Sequence, residues 1–440
     1  MSIHSPENHS KSRMANSSFV SLSLLLAGLW ITQSTFAGDL ERVDPEDVGL
    51  SSERLERLSN MLNTYVEDDK LPGGVALVAR HGKVAYLESF GHRNLAEGEK
   101  MQDDDIFRIA SQTKAIISVG VMMLQEDGQL LISEPVGNYL PEFMETTVAV
   151  ANDDGSYEVV PANRKVTIRD LLTHTSGVDY GGGLAKDRWE EAGMTGWYFA
   201  HRDEPIRETV SRIAALPFQS HPGEKWVYGY STDILGALIE VVSGQPLDEF
   251  LHSRIFDPLE MDDTHFYLPE SKLDRIAVVY SAKETGGIER TADGSGMITQ
   301  GEYVDGPRRS FSGGAGLLST AADYATFLQM MLNGGEYDGD RILSRKSVEL
   351  MTVNHVGENT PSFFGGGMGF GLGYYVVSDV GARGVPGSEG EYGWGGAYHS
   401  TYWVDPEEEL VVVYMVQLIP SGSVDDHGKL RTLVYQAIED

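Results

Sequence analysis

Residues 115–124 read Ala-Ile-Ile-Ser-Val-Gly-Val-Met-Met-Leu, a run with almost nothing that prefers water. At helical spacing it leaves no continuous polar face, which predicts a helix buried on most sides. Such a helix needs a core around it, so the chain must wrap a large apolar interior. Asp127-Gly128 ends the run, since glycine takes the left-handed cap. Just before it stands Phe107-Arg108-Ile109-Ala110-Ser111-Gln112-Thr113-Lys114. Ser111 then falls in the first turn, where free N–H groups and the positive dipole end favour a developing oxyanion. Lys114, three residues on, shares a helix face with the Ser111 hydroxyl. A serine hydroxyl is a poor nucleophile until a base takes its proton, and lysine serves only when burial lowers its pKa. The apolar helix supplies that burial. Roughly one Ser-x-x-Lys is expected by chance at this composition, so the spacing needs support from elsewhere in the chain.

At 440 residues and 41% hydrophobic, the chain suffices for one large catalytic module. A net charge of −32 argues against nucleic acid or an anionic membrane as partner. The absence of cysteine removes disulfides, thiolate metal sites and a cysteine nucleophile. At the N-terminus, Lys11 and Arg13 precede an apolar run over residues 19–31, and Thr35-Phe36-Ala37 offers small residues at the cleavage positions. This predicts a leader over residues 1–37, cleaved after Ala37, with export to the periplasm or medium and no stable membrane span afterwards. Met14 is an alternative start.

Along the mature chain, Leu55, Leu58, Leu62 and Tyr65 recur at helical spacing behind Ser51 or Ser52 as cap. Residues 75–79 and 84–90 are apolar strands around His81-Gly82, a hairpin signal. Residues 91–105 read as a polar loop. Residues 205–215, 233–242 and 246–256 read as helices. Strands return at 370–377, 401–404 and 410–416, and a last helix covers 430–438. The order predicts an α+β fold: an antiparallel sheet made from both chain ends (about 38–110 and 310–440), flanked by helices, with a mostly helical lobe (about 111–309) inserted. The aromatic stretch with Trp189, Trp197, Tyr198 and Phe199 follows Gly181-Gly182-Gly183, and fits either a pocket cover or packing within the lobe.

Several motifs now fall in one order. Ser111-Gln112-Thr113-Lys114 is followed by Leu171-Leu172-Thr173-His174-Thr175-Ser176-Gly177. Next come Pro222-Gly223 with Tyr228 and Asp233-Ile234-Leu235-Gly236, then Pro258-Leu259-Glu260-Met261. Gly313-Gly314-Ala315-Gly316-Leu317 and Gly393-Trp394-Gly395-Gly396-Ala397 complete the set. Together they resemble the serine β-lactamase and penicillin-binding superfamily, in the branch of class C β-lactamases, D-alanyl-D-alanine carboxypeptidases and family VIII carboxylesterases. The resemblance implies that Ser111 attacks an acyl carbonyl and that Lys114 and Tyr228 share proton handling. It implies an oxyanion hole from the backbone N–H groups of Ser111 and Ala397. Tyr230 is the rival tyrosine, but spacing to Asp233-Ile234-Leu235-Gly236 favours Tyr228.

Two departures narrow the substrate. Tyr230 stands where the lactamases have an asparagine that holds the substrate amide, and Trp394 where they have a lysine that holds its carboxylate. Tryptophan offers only an indole N–H and an apolar face. The resemblance therefore implies a small-molecule ester as substrate, bound by Trp394, Gly395, Gly396, Tyr230 and His399. A weak β-lactamase or D-amino peptidase, an acyltransferase and a non-catalytic binding module are the alternatives. His174 is expected to brace a loop. No cofactor or metal is implied: zinc spacings such as His-Glu-x-x-His are missing, and Asp338-Gly339-Asp340 lacks the ligand run of a calcium loop.

Overall fold

The computed structural model describes residues 40–361 and 364–440. The expected leader over residues 1–37 lies outside the described residues. No helix among them is long and apolar enough to cross a membrane.

The first helix, α1 (Ser52–Glu67), is capped by Ser51, whose side chain accepts from the Arg54 N–H. It turns Leu55, Leu58, Leu62 and Tyr65 inward, as their spacing predicts. The strands β1 (Gly73–Arg80) and β2 (Lys83–Asn94) form the expected hairpin, and β3 (Glu99–Lys100) pairs beyond it. Later strands are β4 (Met368–Phe370), β5 (Tyr375–Val377), β6 (Tyr392–Gly395), β7 (Thr401–Asp405) and β8 (Leu410–Val416). All eight make one sheet in the order β4-β5-β6-β7-β8-β1-β2-β3, antiparallel at every pairing. Early and late chain meet at its centre, where Gly74 pairs with Val416 and Arg80 with Leu410.

That centre is buried on both faces, so β1 and β8 read as continuous apolar runs. Alternation still sorts the side chains. Val75, Leu77, Val411 and Val413 join one core, while Ala76, Val78, Val412 and Tyr414 join the other with α1. The first core also holds the apolar run at 115–124, which lies in helix α2 (Thr113–Glu126), buried from Thr113 through Leu124. Each of its large apolar side chains contributes about 1.5–3 kcal/mol by leaving water. Helix α3 (Ser231–Ser243) packs on α2, and α4 (Ala321–Leu332) lies on the sheet under β8. The last helix, α5 (Asp426–Tyr435), packs on α1.

Some expectations are corrected. Residues 370–377 are not one strand: Gly371 to Tyr374 turns the chain between β4 and β5, with Gly371 N–H bonded to the Tyr374 carbonyl at 2.7 Å. Gly373 sits at φ +100°, and a Cβ there would lie 2.4 Å from Ser118 Oγ on α2, so only glycine turns here. The polar stretch 91–105 is partly strand, since β2 runs on to Asn94. The inserted segment carries two two-stranded hairpins. Thr147–Ala151 with Tyr157–Pro161 closes around Asn152-Asp153-Asp154-Gly155, whose composition suggests a hairpin tip. Tyr280–Ala282 with Ile288–Arg290 is an addition to the expected elements.

Candidate active site

The chain enters α2 through a tight turn, Ala110–Gln112, with Ala110 at φ +43°. A non-glycine residue stays in that region only where its surroundings hold it. Here Ile109 N–H bonds the Leu317 carbonyl at 3.1 Å, and Leu317 N–H bonds Thr113 Oγ1 at 3.1 Å. The segment Gly313–Leu317 is thereby tied to the mouth of α2.

Ser111 is half-buried and Lys114 only 2% exposed. Lys114 Nζ donates to Ser111 Oγ at 3.2 Å, to Tyr180 OH at 3.2 Å and to the Gly314 carbonyl at 2.7 Å. All three acceptors are neutral groups. The carboxylate behind them is Asp233, fully buried, whose Oδ1 accepts from Ser312 Oγ at 2.6 Å and Gly314 N–H at 3.0 Å. One peptide unit, Gly314, thus faces Asp233 with its N–H and Lys114 with its carbonyl. A Cβ on Gly314 would lie 2.4 Å from Asp233 Oδ2, an oxygen with no partner among the described residues. Burial pushes the Asp233 carboxyl above its ordinary value, opposed by Ser312 and by the Lys114 charge.

Tyr228 precedes α3 and places its ring centroid 4.7 Å from Lys114 Nζ. Its hydroxyl accepts the Trp394 indole N–H at 3.1 Å. His174 packs on the Tyr228 ring at 4.9 Å, and Trp226 stacks on it at 5.5 Å. His174 is a brace, as expected: at φ +55° its carbonyl accepts from Val227 N–H at 2.8 Å. Burial and the nearby Lys114 charge hold it well below the usual histidine range, so it is neutral.

Tyr180 is the residue that sequence reasoning missed. It bonds Lys114 directly, meets the Tyr228 ring edge-on at 5.7 Å, and burial pushes its phenol well up. The only signal was its place before Gly181-Gly182-Gly183.

A cleft of about 610 Å³ opens over these groups. Ser111, Tyr180, Trp197, Tyr228, Phe364, Tyr375, Trp394, Gly395, Gly396, Ala397 and Thr401 line it, with no Asp, Glu, Lys, Arg or His among them. Gly396 approaches the nucleophile segment so closely that a Cβ would lie 2.6 Å from the Ile109 carbonyl oxygen. Trp394, Gly395, Gly396 and Ala397 therefore share the cleft with Ser111 and Tyr228, though the Trp394 N–H is already engaged.

Two predicted substrate contacts are corrected. Tyr230 is fully buried: its hydroxyl donates to the Gly196 carbonyl at 2.6 Å and its ring stacks on Trp189 and Phe199. One residue separates it from Tyr228, and the backbone sends the two rings to different places. His399 does not line the cleft either. At φ +69° its side chain turns to α5, where Nε2 meets Asp426 Oδ1 at 2.7 Å.

With His427, these two form the one grouping of metal-ligand type among the described residues. Its geometry does not suit an ion. The imidazoles of His399 and His427 stack at 4.1 Å with 21° between planes. Ring planes so arranged meet on the order of 10 Å away, whereas a zinc–nitrogen bond spans about 2.0–2.1 Å in the ring plane.

Residues 58–436 match the protein family described as Beta-lactamase. Esterase EstB of Burkholderia gladioli is 31% identical over 395 residues, covering 86% of this chain and 95% of that protein. The Lovastatin esterase of Penicillium rubens is 28% identical over 386 residues, covering 80% of this chain and 90% of that one. The solved structure of EstCE1, "a hydrolase with promiscuous acyltransferase activity", matches with a TM-score of 0.74 at 25% identity, over 87% of this chain and 98% of that one. With motifs, fold and relatives in agreement, the chain belongs to the beta-lactamase family, in the esterase-like branch of the serine β-lactamase and penicillin-binding superfamily, and is a serine hydrolase acting on acyl groups.

Proposed function

We propose that the protein is exported and hydrolyses esters of uncharged carboxylic acids through an acyl-enzyme on Ser111. Ser111 Oγ attacks the ester carbonyl while its proton passes to the Lys114–Tyr228 pair. The N–H groups of Ser111 and Ala397 hold the oxyanion. Collapse expels the alcohol, which takes that proton, and water then attacks the acyl-enzyme by the same route to release the acid. The Trp394 N–H on the Tyr228 oxygen and the Lys114 Nζ beside its ring hold the phenol next to the nucleophile.

The observation that carries the substrate class is the lining of the cleft, which offers no charged side chain. A penicillin or peptide brings a carboxylate, and a charge-assisted hydrogen bond to it is worth about 1.5–3 kcal/mol. Tryptophan cannot replace that bond here, because its one N–H faces Tyr228. An uncharged ester forfeits nothing. The likeness to Esterase EstB and to Lovastatin esterase supports this reading.

Transfer of the acyl group to an alcohol instead of water is the second reading, favoured by the likeness to EstCE1. The test sets p-nitrophenyl butyrate beside nitrocefin, with Ser111→Ala as control and with added methanol. Ester turnover that Ser111→Ala abolishes, with nitrocefin slow, is the expected result, and methyl butyrate forms if transfer occurs. Fast nitrocefin turnover with inert esters overturns the proposal.

A further inference from the structure

The turn carrying Ala397 is held from behind by side chains that do not line the cleft. Gly396 N–H bonds the Ser400 carbonyl at 2.8 Å and His399 N–H bonds the Gly396 carbonyl at 3.2 Å, which closes the turn with His399 left-handed. A histidine keeps that conformation only when its environment holds it. The holders come from the start of α5. Asp426, fully buried, meets His399 Nε2 with one oxygen and accepts from Tyr414 OH with the other at 2.8 Å. His427 Nε2 donates to the His399 carbonyl at 3.1 Å and its ring stacks on the His399 ring. Both the side chain and the backbone of His399 are thus anchored to one helix. Two more ties run to the sheet side, from Leu418 N–H to the Tyr398 carbonyl at 3.0 Å and from Ser400 Oγ to the Val416 carbonyl at 2.9 Å. On its other side, the turn presses Gly396 against Ile109, two residues before Ser111.

These contacts hold the turn that carries Ala397 along the cleft that Ser111 also lines. We infer that His399, Asp426 and His427 are positioning residues for the oxyanion hole, acting through the Ala397 N–H. The inference rests on the reading of Ala397 as an oxyanion donor. Burial, with His399 alongside, holds His427 below the ordinary histidine range, and Nε2 is its donor to the His399 carbonyl. Asp426 stays ionised: burial pushes it up, but the bonds from His399 and Tyr414 outweigh that.

An oxyanion donor is felt in the transition state and little in the bound substrate, so loosening the turn lowers kcat and kcat/KM by the same factor. The test compares His427→Leu, which keeps bulk and loses the N–H, with His427→Gln, which keeps an N–H. Asp426→Asn serves as a second variant should His427→Leu fail to fold. With p-nitrophenyl butyrate, His427→Leu is expected to lower kcat and kcat/KM together by roughly 10- to 100-fold, less than the ~10²–10³ of losing a donor outright. His427→Gln regains most of that loss, and dialysis against EDTA leaves the wild type unchanged.

An active wild type with His427→Leu equally fast overturns this inference alone. So does a shift confined to KM, a His427→Gln variant no better than His427→Leu, or an activity removed by EDTA and restored by zinc. A wild type inert toward all esters overturns the proposed function and this inference with it.

Discussion

Two buried charges in this molecule are treated in opposite ways. Glu391, fully buried, accepts two bonds from Arg431, at 2.7 and 2.8 Å, and pairs with Arg383 at 2.9 Å. Tyr375 and Tyr435 add hydroxyl donors at 2.9 and 3.0 Å. Burial pushes its carboxyl up, but Arg431 and Arg383 hold it below the usual range. Lys114 is nearly as buried, yet all of its hydrogen bonds go to neutral oxygens, and Asp233 reaches it only through the Gly314 peptide. A charge paired with two cations and closed off by two hydroxyls is locked and serves the fold. A charge held by a serine, a phenol and a carbonyl has no counter-ion bound to it and stays in contact with the nucleophile. The two networks meet in the cleft, because Tyr375 lines it on one side and bonds Glu391 on the other.

The contrast is broken or sharpened by four measurements. Lys114→Met is expected to lower ester hydrolysis by about 10³-fold, the scale of general acid–base catalysis. Its Tm holds or rises, because an apolar chain of similar length replaces a buried ammonium. A collapse in Tm would place Lys114 on the structural side. Arg431→Met is expected to do the reverse, costing about 3 kcal/mol in urea unfolding by leaving Glu391 under-paired. Its kcat per folded molecule stays near wild type.

Asp323 gives the third measurement, a buried carboxylate without a cation. Its Oδ2 accepts from Asp263 N–H at 2.9 Å and Thr264 Oγ1 at 2.8 Å, and burial pushes its pKa up to about 7. A raised folded-state pKa means that the folded chain holds the proton across the window from the ordinary carboxylate value to about 7. Stability therefore falls as pH rises through that window. Between pH 5 and 8 the loss is on the order of 2 kcal/mol, and Asp323→Asn removes that slope. A wild type and variant with parallel profiles would show the group ionised throughout. The smallest effect is Trp394→Phe, which keeps an aromatic wall and deletes the N–H on Tyr228. One hydrogen bond of about 1–1.5 kcal/mol predicts a kcat some tenfold lower, with nitrocefin turnover no better than before.

The readable parts of the site were those encoded locally. Ser111 and Lys114 meet because residues three apart on a helix share a face. Tyr228 was separated from Tyr230 by motif spacing, and the structure puts Tyr228 in the cleft and Tyr230 in the core. Tyr180 escaped notice because a glycine-rich loop carries no periodicity to say where its neighbours point. His399 was placed in the cleft because it follows Ala397 closely, but a positive φ turned its side chain the other way.

By itself the sequence determined the buried helix, the two apolar central strands and the hydroxyl–amine pair, because hydrophobic period and short-range spacing decide each of these. The fold then decided which oxygens surround Lys114, that the indole N–H belongs to Tyr228 and not to a substrate, and that a histidine faces α5. Those outcomes depend on segments 27 to 200 residues apart in the chain, whose meeting is set by packing and backbone hydrogen bonds that no local pattern records.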